Sequence, residues 1–206
     1  MTDIKLNFVN NSNDTNNSEI LIFQKNEAAS FEEIAVAWKV IQNCGRGWSH
    51  PFVFATETYV AASDSWGNMS PLQPAANGQS FSVVQDPSGD VLKLTGNAEA
   101  PNQIDVINGL PSAAISANIY RSGRLLAAKT GMAPGQKAVF SFQPIIWIGA
   151  VVQVEEGDVI SSAIMCQINT QISLTGVKSA DIVMTGGGPG KESTVFVFSL
   201  ENVTYA

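Results

Sequence analysis

The stretch Ile115-Ser116-Ala117-Asn118-Ile119-Tyr120-Arg121-Ser122-Gly123-Arg124-Leu125-Leu126 decides the fold class. Ile115, Ala117 and Ile119 alternate with Ser116, Asn118 and Tyr120, a period of two that places one set on each face of a strand. Ser122-Gly123 then separates two such runs, the signature of a tight β-hairpin.

The same pattern extends in both directions. Ile34, Val36, Trp38 and Val40 alternate with Ala35, Ala37, Lys39 and Ile41, which predicts a strand. Ile164, Cys166, Ile168, Thr170, Ile172 and Leu174 oppose Met165, Gln167, Asn169, Gln171, Ser173 and Thr175, which predicts one long strand across 159–175 with a wet face. Val195-Phe196-Val197-Phe198 is apolar on both faces, as expected of a strand covered on both sides. Asn77-Gly78, Pro87-Ser88-Gly89, Pro134-Gly135 and Glu156-Gly157 supply turns between runs. Counting the runs gives roughly 12 to 14 strands, at a spacing typical of sandwiches and barrels. Helix signals are few; the best is Asn26–Glu33, where Ser30 is placed to cap with Glu33 three residues on.

The expected fold is therefore all-β, an antiparallel β-sandwich, with a closed β-barrel as the alternative. Faint matches, such as Ile20–Phe23 with Ile115–Tyr120, suggest two topologically similar halves. The polar loops Asn10–Ser18 and Pro71–Gly78 are too short for interdomain linkers, so residues 1–206 read as a single domain.

Composition narrows the function. The chain has 206 residues, 45% hydrophobic and 14% charged, with a net charge of −7. Charge lies below the usual share of about 25%, and Ser, Thr, Asn, Gln and Gly take its place. Such a surface is weakly hydrated and favours self-association. The only arginines are Arg46, Arg121 and Arg124, and the lysines are scattered singly, so no row of cations meets a phosphate backbone; nucleic-acid binding is excluded. The N-terminus shows no basic segment followed by an apolar one, and no run of apolar residues is long enough to span a bilayer. The expected location is the cytoplasm, with Cys44 and Cys166 as free thiols; leaderless export and release by lysis are the alternatives.

Two passages gather chemistry-bearing side chains. Asn43–Pro51 packs Cys44, Arg46, Trp48 and His50 into a glycine-containing turn. His50 is the only histidine, so any nucleophile–histidine pair must use it, with Cys44 the nearest thiol. No third group to orient the base is evident, and turn packing is the plainer reading. One histidine and two distant cysteines fall short of the three or four ligands that zinc wants. In the second passage, Tyr59, Asp64, Trp66 and Asn68 occupy a polar stretch. An exposed indole stacks on sugar C–H groups while a carboxylate and an amide bind hydroxyls; Trp66 as core filler is the competing reading. The segment 185–193 is glycine-rich, but Glu192 stands where a phosphate loop needs Ser or Thr and a strand follows, so it reads as a turn. The carboxylates of Asp86–Asp90 and Glu155–Asp158 read as solvated turns.

The leading expectation is a non-enzymatic, self-associating structural or binding protein that forms homo-oligomers. The expected ligand-binding residues are Arg46, Trp48, His50, Asp64, Trp66 and Asn68; no metal site and no cofactor is implied. One alternative is a membrane-active or carbohydrate-binding toxin-like protein. Residues 159–177 carry no charge, and their length exceeds the roughly 9–11 residues a β-strand needs to cross a bilayer. The other alternative is an enzyme built on His50 and Cys44.

Overall fold

The computed structural model describes residues 3–28 and 34–206. In chain order the elements are β1 (Ile4–Asn10), β2 (Glu19–Phe23), β3 (Ile34–Ala35), β4 (Lys39–Ile41), β5 (Ser49–Phe54), β6 (Thr58–Asp64), β7 (Gln73–Ala75), β8 (Gln79–Asp86) and β9 (Gly89–Asn97). There follow β10 (Ile104–Asn108), β11 (Ile115–Arg121), β12 (Arg124–Met132), β13 (Lys137–Phe140), β14 (Ile145–Val151), the helix α1 (Ser162–Gln167), β15 (Thr170–Ser173), β16 (Val177–Gly187) and β17 (Thr194–Tyr205). Of the predicted helical stretch Asn26–Glu33, Glu27 and Ala28 form a turn and the last five residues lie outside the described ones. Among the described residues, no helix is long and apolar enough to cross a membrane.

The strands form four sheets, none closed into a barrel, so the fold is sandwich-like and the barrel alternative falls. The chain divides into two compact units: unit 1 holds Met1–Gln24, Val36–Thr56 and Pro144–Ala206, and unit 2 holds Lys25–Ala35 and Glu57–Gln143. Each unit has one mixed and one antiparallel sheet. In unit 1 the mixed sheet runs β17-β16-β1-β5, with β1 and β16 parallel, and the antiparallel sheet runs β15-β14-β2-β4. In unit 2 the mixed sheet runs β13-β10-β8-β9, with β8 and β10 parallel, and the antiparallel sheet runs β3-β12-β11-β6-β7. Both mixed sheets thus have a central parallel pair flanked by antiparallel strands, and in this respect the halves are alike.

Side-chain alternation explains how each unit closes. In unit 1, Ile4, Leu6 and Phe8 of β1 and Ala180, Ile182 and Met184 of β16 are buried, as are Ile20 and Ile22 of β2 and Ile146 and Ile148 of β14. Trp38, just before β4, meets the rings of Phe52 and Phe54 on β5 edge-on at 6.3 and 5.6 Å. It ties the antiparallel sheet to the mixed one. In unit 2, Ile115, Ala117 and Ile119 of β11 are buried, together with Phe81 and Val83 of β8. The hairpin between β11 and β12 closes through Ser122 (φ 53°) and Gly123 (φ 74°), both left-handed, as the two-residue turn matching strand twist requires.

Three predicted strands differ from the structure. Residues 34–41 are not one strand: β3 belongs to unit 2, Val36 makes a single bridge to Val159 in unit 1, and β4 follows. Val36 through Ile41 are buried on both parities, so their alternation reports no wet face. Lys39 is among them; its ammonium lies 3.5 Å from Glu156 Oε1 and 5.7 Å over the Phe52 ring. The long strand predicted over 159–175 is broken by α1. The Ser161 side chain accepts from the Ile164 backbone N–H at 3.3 Å, and this cap starts a helical turn through Ala163 and Met165, both good helix formers. The chain returns to strand only at β15. The continuous amphipathic strand on which the membrane reading depended is therefore absent. Finally, residues 195–198 are not covered on both sides, because β17 is an edge strand with Val195 85% and Val197 54% exposed.

Candidate functional site

The expected binding residues fall in two places. Arg46, Trp48 and His50 belong to unit 1, and Asp64, Trp66 and Asn68 to unit 2. In unit 1, Asn10 at the end of β1 is buried and fixes the loop before β5. Its Nδ2 donates to the Cys44 carbonyl at 2.6 Å, and its Oδ1 accepts from the Ser12 backbone N–H and hydroxyl at 3.0 and 2.6 Å. The Gly47 N–H donates to the Asn10 carbonyl, and the Asn10 N–H to the Trp48 carbonyl. A buried amide thus holds a turn that leaves Arg46 exposed and Trp48 69% exposed. His50 is half-buried on β5 opposite Phe8, and the alternation puts it on the same side as Phe52 and Phe54. Cys44 is half-buried, and burial pushes its thiol pKa up. That lowers the thiolate fraction at neutral pH, the reverse of what an activated nucleophile requires.

In unit 2, the turn after β6 is built on Asp64. Its Oδ1 accepts from the backbone N–H groups of Trp66 and Asn68, both at 2.9 Å, and its Oδ2 accepts from Asn68 Nδ2 at 2.7 Å. These bonds, led by the Asn68 side chain, hold the Asp64 carboxyl below its usual pKa. The structure therefore brings Asp64 and Asn68 together, but each serves the other within the turn. Trp66 stands at the tip, 87% exposed, and is not core filler.

Beside this turn lies a cavity of about 330 Å³, set within unit 2. Val83 and Leu92 from the mixed sheet and Ile115 from the antiparallel sheet supply buried apolar lining. Asp64, Asn68, Gln73 and Asp90 supply polar lining, and among the described residues no Lys or Arg contributes. Trp66 does not line it. The sequence offered no sign of this grouping, because Asp90, read there as a solvated turn carboxylate, shares a lining with Asp64 although their strands belong to different sheets of unit 2.

The second feature legible only in the fold is the edge of unit 1. β17 pairs with β16 on one side and with no described strand on the other. The connection from β16 runs through the glycine-rich segment, with Gly186 at φ 87° and Gly187 at φ 75°. A Cβ on Gly186 would run into the Val195 carbonyl, and one on Gly187 would lie 2.6 Å from Phe196 Cε1. The glycines are there for close backbone approach, and the segment is the turn expected.

Among the described residues no group of three or more His, Cys, Asp or Glu side chains is placed to hold a metal ion. Compared with known protein families, curated proteins and solved structures, the chain shows no match.

Proposed function

We propose that this chain is a non-enzymatic, self-associating β-sandwich protein in which β17 of one copy pairs with β17 of a second. The observation that carries the reading is the uncovered edge of β17, twelve residues long. The outer row of backbone N–H and C=O groups on such an edge is a template for another strand. Natural edges are blunted by lysine, proline, inward-pointing charge or bulges; Thr194 to Leu200 contains no such residue, and a single bulge between Thr194 and Val197 leaves the run from Val197 to Leu200 in regular register with β16. Val195 and Val197 add apolar surface that pairing removes from water.

The choice of a second copy follows from charge. With a net charge of −7, two copies repel in general. Approach along an uncharged segment is the geometry that juxtaposes fewest like charges. Antiparallel pairing of a strand with itself is also isologous, so it closes as a two-fold dimer.

Sedimentation velocity over a wide concentration range tests this. The expected result is a species heavier than the 21.9 kDa chain, returned to monomer by the double substitution Val195→Lys with Val197→Lys, with a thermal midpoint equal to that of the parent at dilutions where both are monomeric. The added lysines make the net charge less negative, so loss of association cannot be ascribed to general repulsion. A mass of one chain at every concentration overturns the reading.

A further inference from the structure

We infer that the chain exchanges its C-terminal segment, residues 144–206, with a second copy of itself, so that unit 1 closes between two chains as well as within one. The exchange leaves the open edge of β17 untouched and does not depend on its pairing.

The inference starts from a correspondence between the units. β1, β2, β4 and β5 stand in unit 1 where β10, β11, β12 and β13 stand in unit 2, and β14 to β17 stand where β6 to β9 stand. The pairings recur with their directions. β1 runs parallel to β16 as β10 does to β8, β5 and β13 pair antiparallel at the same edge, and β2 joins β14 as β11 joins β6. The hydrogen bonds at the strand ends recur too. Asn10 ends β1 and Asn108 ends β10. The Gly47 N–H donates to the Asn10 carbonyl and the Gly135 N–H to the Asn108 carbonyl, both at 2.7 Å. Asn10 Nδ2 donates to the Cys44 carbonyl at 2.6 Å, and Asn108 Nδ2 to the Met132 carbonyl at 2.8 Å. Gly47 and Gly135 are both left-handed, at φ 78° and 79°. Before β16 the Gly176 carbonyl accepts from the Ala206 N–H, and before β8 the Gly78 carbonyl accepts from the Ala98 N–H. Ordinary hairpin geometry does not require an asparagine at a strand end with a left-handed glycine bonded back to it. The chain is a tandem repeat, β1–β9 followed by β10–β17, and each unit takes half of its pattern from each repeat.

This cross-pairing fixes the piece that is exchanged. In unit 2 the two halves are joined directly, by residues 98–103 between β9 and β10. In unit 1 the corresponding halves are joined only through unit 2. The N-terminal half passes between the units at 24–25, 35–36 and 56–57, and β3 anchors it by pairing with β12. The C-terminal half passes once, between Gln143 and Pro144, so it leaves on a single connector. A second copy offers it the same partners, β1 for β16 and β2 for β14. The contacts of unit 1 are then remade between chains. The opposing cost is the loss of intramolecular closure, whose effective concentration is on the order of mM for a short connector. Two reciprocal exchanges close a two-fold dimer.

The test is a disulfide across the seam. Lys5 of β1 and Ser179 of β16 are register partners, on the face opposite buried Leu6 and Ala180. Lys5→Cys with Ser179→Cys, in a chain carrying Cys44→Ala and Cys166→Ala, records whose β16 lies beside each β1. The protein is refolded from denaturant at concentrations from about 1 μM to about 1 mM, oxidised, and run on a non-reducing gel. The expected result is an intrachain bond at the lowest concentration and a covalent dimer whose share rises with concentration. That dimer should survive Val195→Lys with Val197→Lys, so a failure of edge pairing leaves it standing. It should fall to the level of the single-cysteine chains in a circular permutant that joins Ala206 to Met1 through a linker as long as 98–103 and opens between Pro101 and Asn102, because the halves of unit 1 are then joined directly. An intrachain bond alone at every concentration, a covalent dimer lost with the two lysines, or one undiminished in the permutant would each overturn the inference. A permutant that does not fold would overturn the correspondence on which it rests.

Discussion

The hairpins β11–β12 and β16–β17 are built by the same local chemistry and meet opposite fates. Both are long, both turn on left-handed glycine, and both are rich in β-branched or apolar residues. The first lies inside its sheet: β6 covers the outer side of β11, and β3 pairs with β12. The second ends its sheet, with no described strand paired beyond β17. Ile119 in the first is fully buried, while Val195 in the second is 85% exposed. Position in the sheet, and not strand character, decides which apolar residue becomes core and which becomes a contact surface.

The comparison can be broken by substitution. Ile119→Ala should destabilise unit 2 by about 2–5 kcal/mol, the range for truncating a buried aliphatic side chain. Val195→Ala should stay within about 0.5 kcal/mol, as at ordinary surface sites. Denaturant unfolding of the two variants checks both values, and equal losses would mean that β17 is covered in the folded monomer.

The turns provide a second contrast. Gly186→Ala forces a side chain into the Val195 carbonyl at φ 87°, so a cost on the order of 2–4 kcal/mol is expected. Gly123→Ala has open space around it at φ 74° and should cost only about 1–2 kcal/mol, the left-handed penalty alone. Thermal melts rank the two, and a reversed order would contradict the packing described for the glycine-rich segment.

A smaller effect concerns acid. Asp64 has a depressed carboxyl pKa in the folded state. Its contribution is therefore fully present above the unfolded value of 3.8 and lost as pH falls through the lower folded value. The turn at Ser122-Gly123 contains no carboxylate. Amide exchange of Trp66 and Asn68 should rise as the solution is acidified below that range, and that of Ser122 and Gly123 should show no matching step. Asp64→Asn should remove the acid dependence; its survival in that variant would assign it to another group.

Local patterns were legible where the partner lies nearby in sequence. The β11–β12 hairpin could be read from Ser122-Gly123 because turn geometry is written in adjacent residues. The stretch 159–175 could not, because alternation over Ser, Ile and Gln fits a strand and a capped helical turn alike, and Ser161 tips the balance. Residues 34–41 failed differently: burial on both faces erases the meaning of a period of two. The exposure of Val195 and Val197 was invisible, since a central strand and an uncovered edge carry the same apolar letters. Of the candidate site, the polar turns carrying Trp48 and Trp66 were legible, but packing was the plainer reading for Trp48 and core filler competed for Trp66, and the structure exposes both. That Asp64 and Asp90 line one cavity was not, because their strands belong to different sheets of unit 2 and meet only through tertiary packing.

Pairing along the open side of β17 can be followed by hydrogen exchange, residue by residue, in dilute and in concentrated solution. Alternate β17 amides, those facing away from β16, are expected to gain protection with concentration while β12 amides stay constant. Exchange in β17 that is the same at both concentrations would contradict it.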